Sequence, residues 1–222
     1  MLDATTPSPP ADGGRSGKPR AILDAAATLF LAHGFAAVSM DAVAREAGVS
    51  KATLYAHFAG KDALFAAMVG ERCDRMAAEA AALAGHGDDL EAALRRLGRA
   101  VLAFLVAPAT LAIHRTVLAE AGRAPDLGAA FYRAGPGAGR TRLAAWIAEE
   151  QRLGQLRADV DPLDAATHLG ALLRGDLWLR AGLAMEPAPD DAAVERAVTA
   201  AVAVFLRAYG TGARLPAASA PA

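Results

Sequence analysis

Residues 39–58 read SMDAVAREAGVSKATLYAHF, and this run decides the fold. Ser39 stands where a helix N-cap is wanted, and Asp41 suits the positive end of a first turn. Met40, Val43, Ala44 and Ala47 then share one apolar face, and Gly48 supplies a stop. Val49 falls in a turn and Ser50 offers a second N-cap. The spacing predicts two short helices, about 40–47 and 51–57, joined through a glycine. That is a helix-turn-helix pattern, whose second helix enters a DNA major groove with its N-terminal residues at base edges. At 100° per residue, Leu54 and Phe58 coincide on the core side. Ala52, Thr53 and Ala56 face away, flanked by Lys51, Tyr55 and His57. Small residues permit close approach to DNA. The ammonium, hydroxyl, phenol and imidazole around them supply donors for bases and phosphates.

Working outward, Ile22, Leu23, Ala26, Leu29, Phe30 and His33 recur at helical spacing, with Pro19 in the first turn and Gly34 as a stop, which predicts a helix over 19–33. Residues 1–18, rich in Pro, Gly, Ser and Thr, read as a disordered arm. After Gly60 an Ala-rich helix is expected over 61–84, where Lys61 begins a turn whose free amides also favour a phosphate. Further helices are expected over 88–106, 108–121, 125–133, 138–153, 162–183 and 190–208, with Gly135-Pro136-Gly137 as a break. The tail 211–222 reads as flexible, and no repeat or strand pattern is present.

The composition agrees with an all-α fold. Hydrophobic residues make up 54% of the 222 positions but aromatic residues only 5%, which excludes an aromatic-rich β-sandwich. The single cysteine, Cys73, can form neither an internal disulfide nor a multi-cysteine metal site, and reads as a small buried thiol. No signal peptide is legible, and the longest apolar stretch, Ala100–Ile113, is too short for a membrane span and holds Pro108. A cytoplasmic protein without membrane contact is therefore expected. The net charge of -1 predicts no polyanion partner by itself. However, the only lysines are at positions 18, 51 and 61, around the helix-turn-helix. Metalloprotease, nucleophile-elbow, phosphate-loop and dinucleotide motifs are absent. No catalytic residue, cofactor or metal is expected.

The run ILDAAATLFLAHGFAAVSMDAVAREAGVSKATLYAHFAGKDALFAAMV, Ile22–Val69, resembles the DNA-binding domain of TetR-family transcriptional regulators. The likeness is carried most specifically by Gly48-Val49-Ser50-Lys51, Thr53-Leu54-Tyr55, His57-Phe58, Lys61 and Leu64. More loosely, residues 131–181 are similar to the AefR-like type of C-terminal region in that family. The resemblance implies a homodimeric regulator that binds double-stranded, palindromic operator DNA and answers to a small-molecule effector. By position it implies base and phosphate contacts from Lys51, Ala52 and Thr53, and mainly phosphate contacts from Tyr55, His57 and Lys61. It also implies a backbone contact from Ser39. Ala52 stands where Gly is common, which bears on base preference alone.

The expected domains are a helix-turn-helix DNA-binding domain over 19–64 and a helical effector-binding and dimerisation domain over 65–210. In the second, large Phe104, Phe131 and Trp146 stand among small residues, with His114 as a polar group, a pattern that can wall a ligand cavity. Core packing is the ordinary reading of such residues, and of His114 and His168 on apolar helices. Val194, Val198, Val202, Phe205 and Tyr209 form a stripe on the last helix that is expected at the dimer interface. The expected activity is a repressor released by an apolar or amphipathic effector. A helical adaptor or ligand-binding protein without DNA binding, or an all-α enzyme, are the alternatives; the adaptor leaves Lys51, Tyr55, His57 and Lys61 unexplained.

Overall fold

The computed structural model describes residues 17–85, 89–185 and 188–212. The arm expected over 1–18 and the tail over 211–222 fall almost wholly outside these residues, as does His86. All regular structure among the described residues is helical, and the sole β feature is an isolated bridge between Leu156 and Gly210. The chain divides into two compact units, Met1–Met68 and Val69–Ala222.

The first unit holds α1 (Gly17–Ala37), α2 (Met40–Glu46), α3 (Lys51–His57) and the start of α4 (Lys61–Ala84). α1 begins two residues before Pro19 and loses helical geometry at Gly34, where φ is 76°. By length and composition α1 could cross a bilayer, but its Ile22, Ala26 and Phe30 are buried within this unit. Phe30, Phe35 and Phe65 form a three-ring cluster with centroids 5.3–5.6 Å apart. Ser39 Oγ accepts from Ala42 N–H at 3.2 Å, and Ser50 Oγ accepts from Thr53 N–H at 3.0 Å, so both helices are capped as the sequence demands. Between them, Val49 N–H donates to Ala44 O and Gly48 N–H to Arg45 O, the paired bonds of a Schellman turn. That turn needs a left-handed residue, and Gly48 sits at φ 64°.

The second unit holds the rest of α4, then α5 (Leu90–Val106), α6 (Pro108–Glu120), α7 (Pro125–Tyr132), α8 (Ala138–Arg152), α9 (Pro162–Gly182) and α10 (Asp191–Tyr209). Its core is built by α5, α8, α9 and α10 around Leu94, Leu102, Ile147, Leu169, Val198 and Phe205. Gly98 lets α5 approach closely, because a Cβ there would lie 3.0 Å from both Leu173 and Val198.

Two local features differ from the sequence reading. Gly135-Pro136-Gly137 is not a break: Arg133–Gly137 is a π-helical turn that joins α7 to α8. A wider turn accommodates a proline that has no N–H to give. A Cβ on Gly135 would lie 3.2 Å from Val69, so the absent side chain also brings this turn against α4. In addition, α9 is kinked at Gly175, where φ is 41° and ψ -154°.

Candidate nucleic-acid interface and ligand cavity

Capping of α3 by Ser50 buries Leu54 completely and leaves Lys51, Ala52, Tyr55, Ala56 and His57 exposed. Thr53 is half-buried, and its hydroxyl lies 2.8 Å from Ser50 Oγ, so it serves the cap as well as the outer surface. Ser39, Lys51, Tyr55 and Lys61 border one open depression; Ala52, Thr53 and His57 do not. Lys51 Nζ pairs with Asp41 Oδ1 at 2.8 Å, and this hydrogen bond holds its ammonium above the ordinary lysine range. Both partners are exposed, so solvent screens the pair and a phosphate can compete for the lysine.

Lys61 is placed differently from the free phosphate contact expected of it. Its ammonium donates to the carbonyls of Phe35, Ala36 and Val38 at 2.9, 3.3 and 3.1 Å, and lies 4.4 Å from the Phe35 ring centroid. An ammonium has three donors, and all are committed to the end of α1 and the turn that follows it. Lys61→Ala is therefore expected to destabilise the first unit by about 1–3 kcal/mol, as part-buried carbonyls lose charged donors. Urea melts followed by circular dichroism check this. An unchanged midpoint, with operator affinity weakened equally for all sequences and a flatter salt slope, would instead make Lys61 a phosphate contact.

The second unit contains a cavity of about 740 Å³. Phe104, His114, Phe131 and Trp146, from four different helices, all line it. The His114 ring meets Phe131 edge-on, with centroids 5.0 Å apart, and its Nδ1 lies 3.2 Å from the Thr110 carbonyl. Only a protonated Nδ1 can donate there. Burial pushes the His114 pKa down, so the neutral ring is favoured. Trp146 Nε1 donates to Gly85 O at 3.4 Å. Cys73 also lines the wall, and burial pushes its thiol up, which makes it a poor thiolate.

Sequence reasoning missed Arg140, Thr110 and Arg174 on the same wall. A signal existed: Arg140, Leu143 and Trp146 repeat every three residues along α8, and Gly170 and Arg174 are one turn apart on α9.

The α10 stripe is not an outer surface. Val194, Val198, Val202 and Phe205 are buried in the core of their own chain. Tyr209 stacks on Phe205 at 4.7 Å and its hydroxyl meets His168 Nδ1. α10 is apolar on two faces, and the one with the larger side chains turns inward because more apolar area leaves water that way. Among the described residues no cluster of His, Cys, Asp and Glu could hold a metal ion.

Comparison with known proteins fits this arrangement. The family model for bacterial regulatory proteins of the tetR family matches residues 22–68. The model for the C-terminal domain of AefR-like transcriptional repressors matches residues 92–211. The crystal structure of a TetR-family regulator from Mesorhizobium loti is 30% identical, with 88% of this chain and 98% of that one covered and a TM-score of 0.76. The flavonoid-responsive regulator FrrA is 36% identical over 89% of this chain and all of its own, with a TM-score of 0.69. MftR of Mycobacterium tuberculosis, described as a regulator of mycofactocin biosynthesis, is 48% identical over 50 residues, 22% of this chain and a quarter of its own length. The chain belongs to the TetR family of bacterial transcriptional regulators: it is a DNA-binding regulator and not an enzyme, and members of that family bind operator DNA and form homodimers.

Proposed function

We propose that the chain is a cytoplasmic repressor whose two copies read a palindromic operator through α3, and which leaves the DNA when an apolar or amphipathic effector fills the cavity of the second unit. The observation that carries this reading is the 740 Å³ space walled by Phe104, Phe131 and Trp146, with His114 beside them. Cavities of this size and lining suit small molecules. The flavonoid response of FrrA supports a flat aromatic body as one acceptable shape. Bases would be read by Lys51, Ala52 and Thr53, while Tyr55, His57 and the α2 end at Ser39 hold phosphates. Residues 19–64, with the α4 residues up to Met68, would form the reading domain, and Val69 to residue 210 the effector and dimer domain.

An effector acts only by binding the DNA-incompetent arrangement better than the competent one, and a preference of about 1–3 kcal/mol suffices for a useful switch. α4 is the natural carrier. Val69, Cys73 and Met76 line the cavity, while Leu64 and Phe65 of the same helix pack in the first unit. For the homodimer we place the contact on the outward faces of α9 and α10, where Leu163, Leu179 and Val204 are exposed.

Thermal-shift screening of flavonoids and other flat apolar compounds, followed by operator titration with each hit, tests the reading. Compounds that stabilise the protein should weaken operator binding about 5- to 150-fold. If cavity-binding compounds leave operator affinity unchanged, the reading fails.

A further inference from the structure

The cavity wall carries more positive charge than an apolar ligand would call for. Arg72, Arg140, Arg142 and Arg174 line it, against one acid, Asp74. Asp74 is already paired with Arg142. The other three guanidiniums have no carboxylate within 4 Å among the described residues. Arg174 satisfies its Nε–H on the Gly170 carbonyl, at 3.0 Å along its own helix. The Nε of Arg140 is buried with no acceptor, and the buried hydroxyl of Thr110 is also without a partner. Buried polar groups left unmatched cost free energy and are few in folded proteins, so two among the residues that line one cavity call for an explanation. A cationic guest would meet three uncompensated arginines, and a wholly apolar one would leave both groups unmatched. His114 does not alter this balance, since its neutral form is favoured and its Nδ1 proton is given to the Thr110 carbonyl.

Building on the reading of this cavity as the effector site, we propose that the effector is an amphipathic anion. It has an apolar body that packs against Phe104, Phe131 and Trp146, and one ionised oxygen acid, such as a carboxylate, that is drawn to the wall by the Arg140 guanidinium. Arg72 and Arg174 add favourable field without needing direct contact.

The test uses the full-length homodimer, with 2-naphthoate against its methyl ester and decanoate against methyl decanoate as probes. Binding is read by quenching of tryptophan emission and by calorimetry, and operator affinity is measured in parallel. At least one acid is expected to bind about 10- to 100-fold more tightly than its ester, the worth of a hydrogen bond to a charged group. Arg140→Gln should remove that preference and leave the ester within about twofold of its wild-type affinity. Arg140→Lys, which keeps the charge, should retain most of the preference, and melts of both variants report whether the fold survives. If ester and acid bind equally to the wild type, or Arg140→Gln weakens both alike, the anion proposal is overturned while the effector site stands. If neither member of either pair changes tryptophan emission or operator affinity, the reading of the cavity falls and the proposal with it.

Discussion

Val202→Asp is expected to unfold the second unit, whereas Val204→Asp, two residues further on, should leave it folded and split the homodimer. Val202 is 1% exposed in a core that also holds Val198, Phe205 and Leu169. A carboxylate there has no partner, and an uncompensated buried charge costs about 3–5 kcal/mol or more. That is a large part of the roughly 5–15 kcal/mol that holds an ordinary domain together. Val204 is 46% exposed, so an aspartate there meets water in the monomer and costs only about 0.5 kcal/mol in stability. At a symmetric interface the same aspartate is duplicated, and the two charges repel. Urea melts and light scattering on the two variants separate these effects. A folded monomer from Val202→Asp, or an intact dimer from Val204→Asp, would contradict the placement.

Replacing Lys51, Tyr55 and His57 together by alanine is expected to lower operator affinity at least 100-fold with little change in stability. The three side chains are exposed on α3, and none fills the core that Leu54 occupies. Loss of one good base contact costs about 1–3 kcal/mol, and loss of phosphate contacts adds to it. Lys51 must exchange Asp41 for DNA, which is an easy trade because the pair is exposed. Alanine is also the strongest helix former, so α3 itself should persist. Fluorescence anisotropy with labelled upstream DNA measures the effect, and near-wild-type binding by the triple variant would remove α3 from the interface.

What is legible in the sequence is chiefly what is local. Ser39, Ser50 and Gly48 cap and turn their own neighbours, so α2 and α3 fall within a residue of their expected ends. α4 is bounded at Lys61 and Ala84 by the glycines on either side. The cavity residues are spread over α4 to α9, and size contrast against small neighbours is a local signal that marks only Phe104, Phe131 and Trp146 among them. Long-range pairings are not legible. Nothing near Lys61 in sequence announces the carbonyls 23 to 26 residues away that take up its donors. Periodicity on α10 shows which side chains share a face but not what covers that face, which is α5 and α9 of the same chain and not a partner. Gly175 lies among good helix formers, so its kink leaves no trace. Gly135-Pro136-Gly137 carries a stop signal that a π turn absorbs.

Whether α3 reads base sequence on behalf of a homodimer is tested most directly by selection from a library of random-sequence duplexes, which works without a known operator. The wild-type protein is expected to enrich a two-fold symmetric site, with half-sites spaced by about one helical turn or a multiple of it, bound about 10³-fold or more above random DNA. The Lys51→Ala, Tyr55→Ala, His57→Ala protein should enrich nothing. Recovery of no common sequence by the wild-type protein, or of the same sequence by the triple variant, would contradict a reading role for α3.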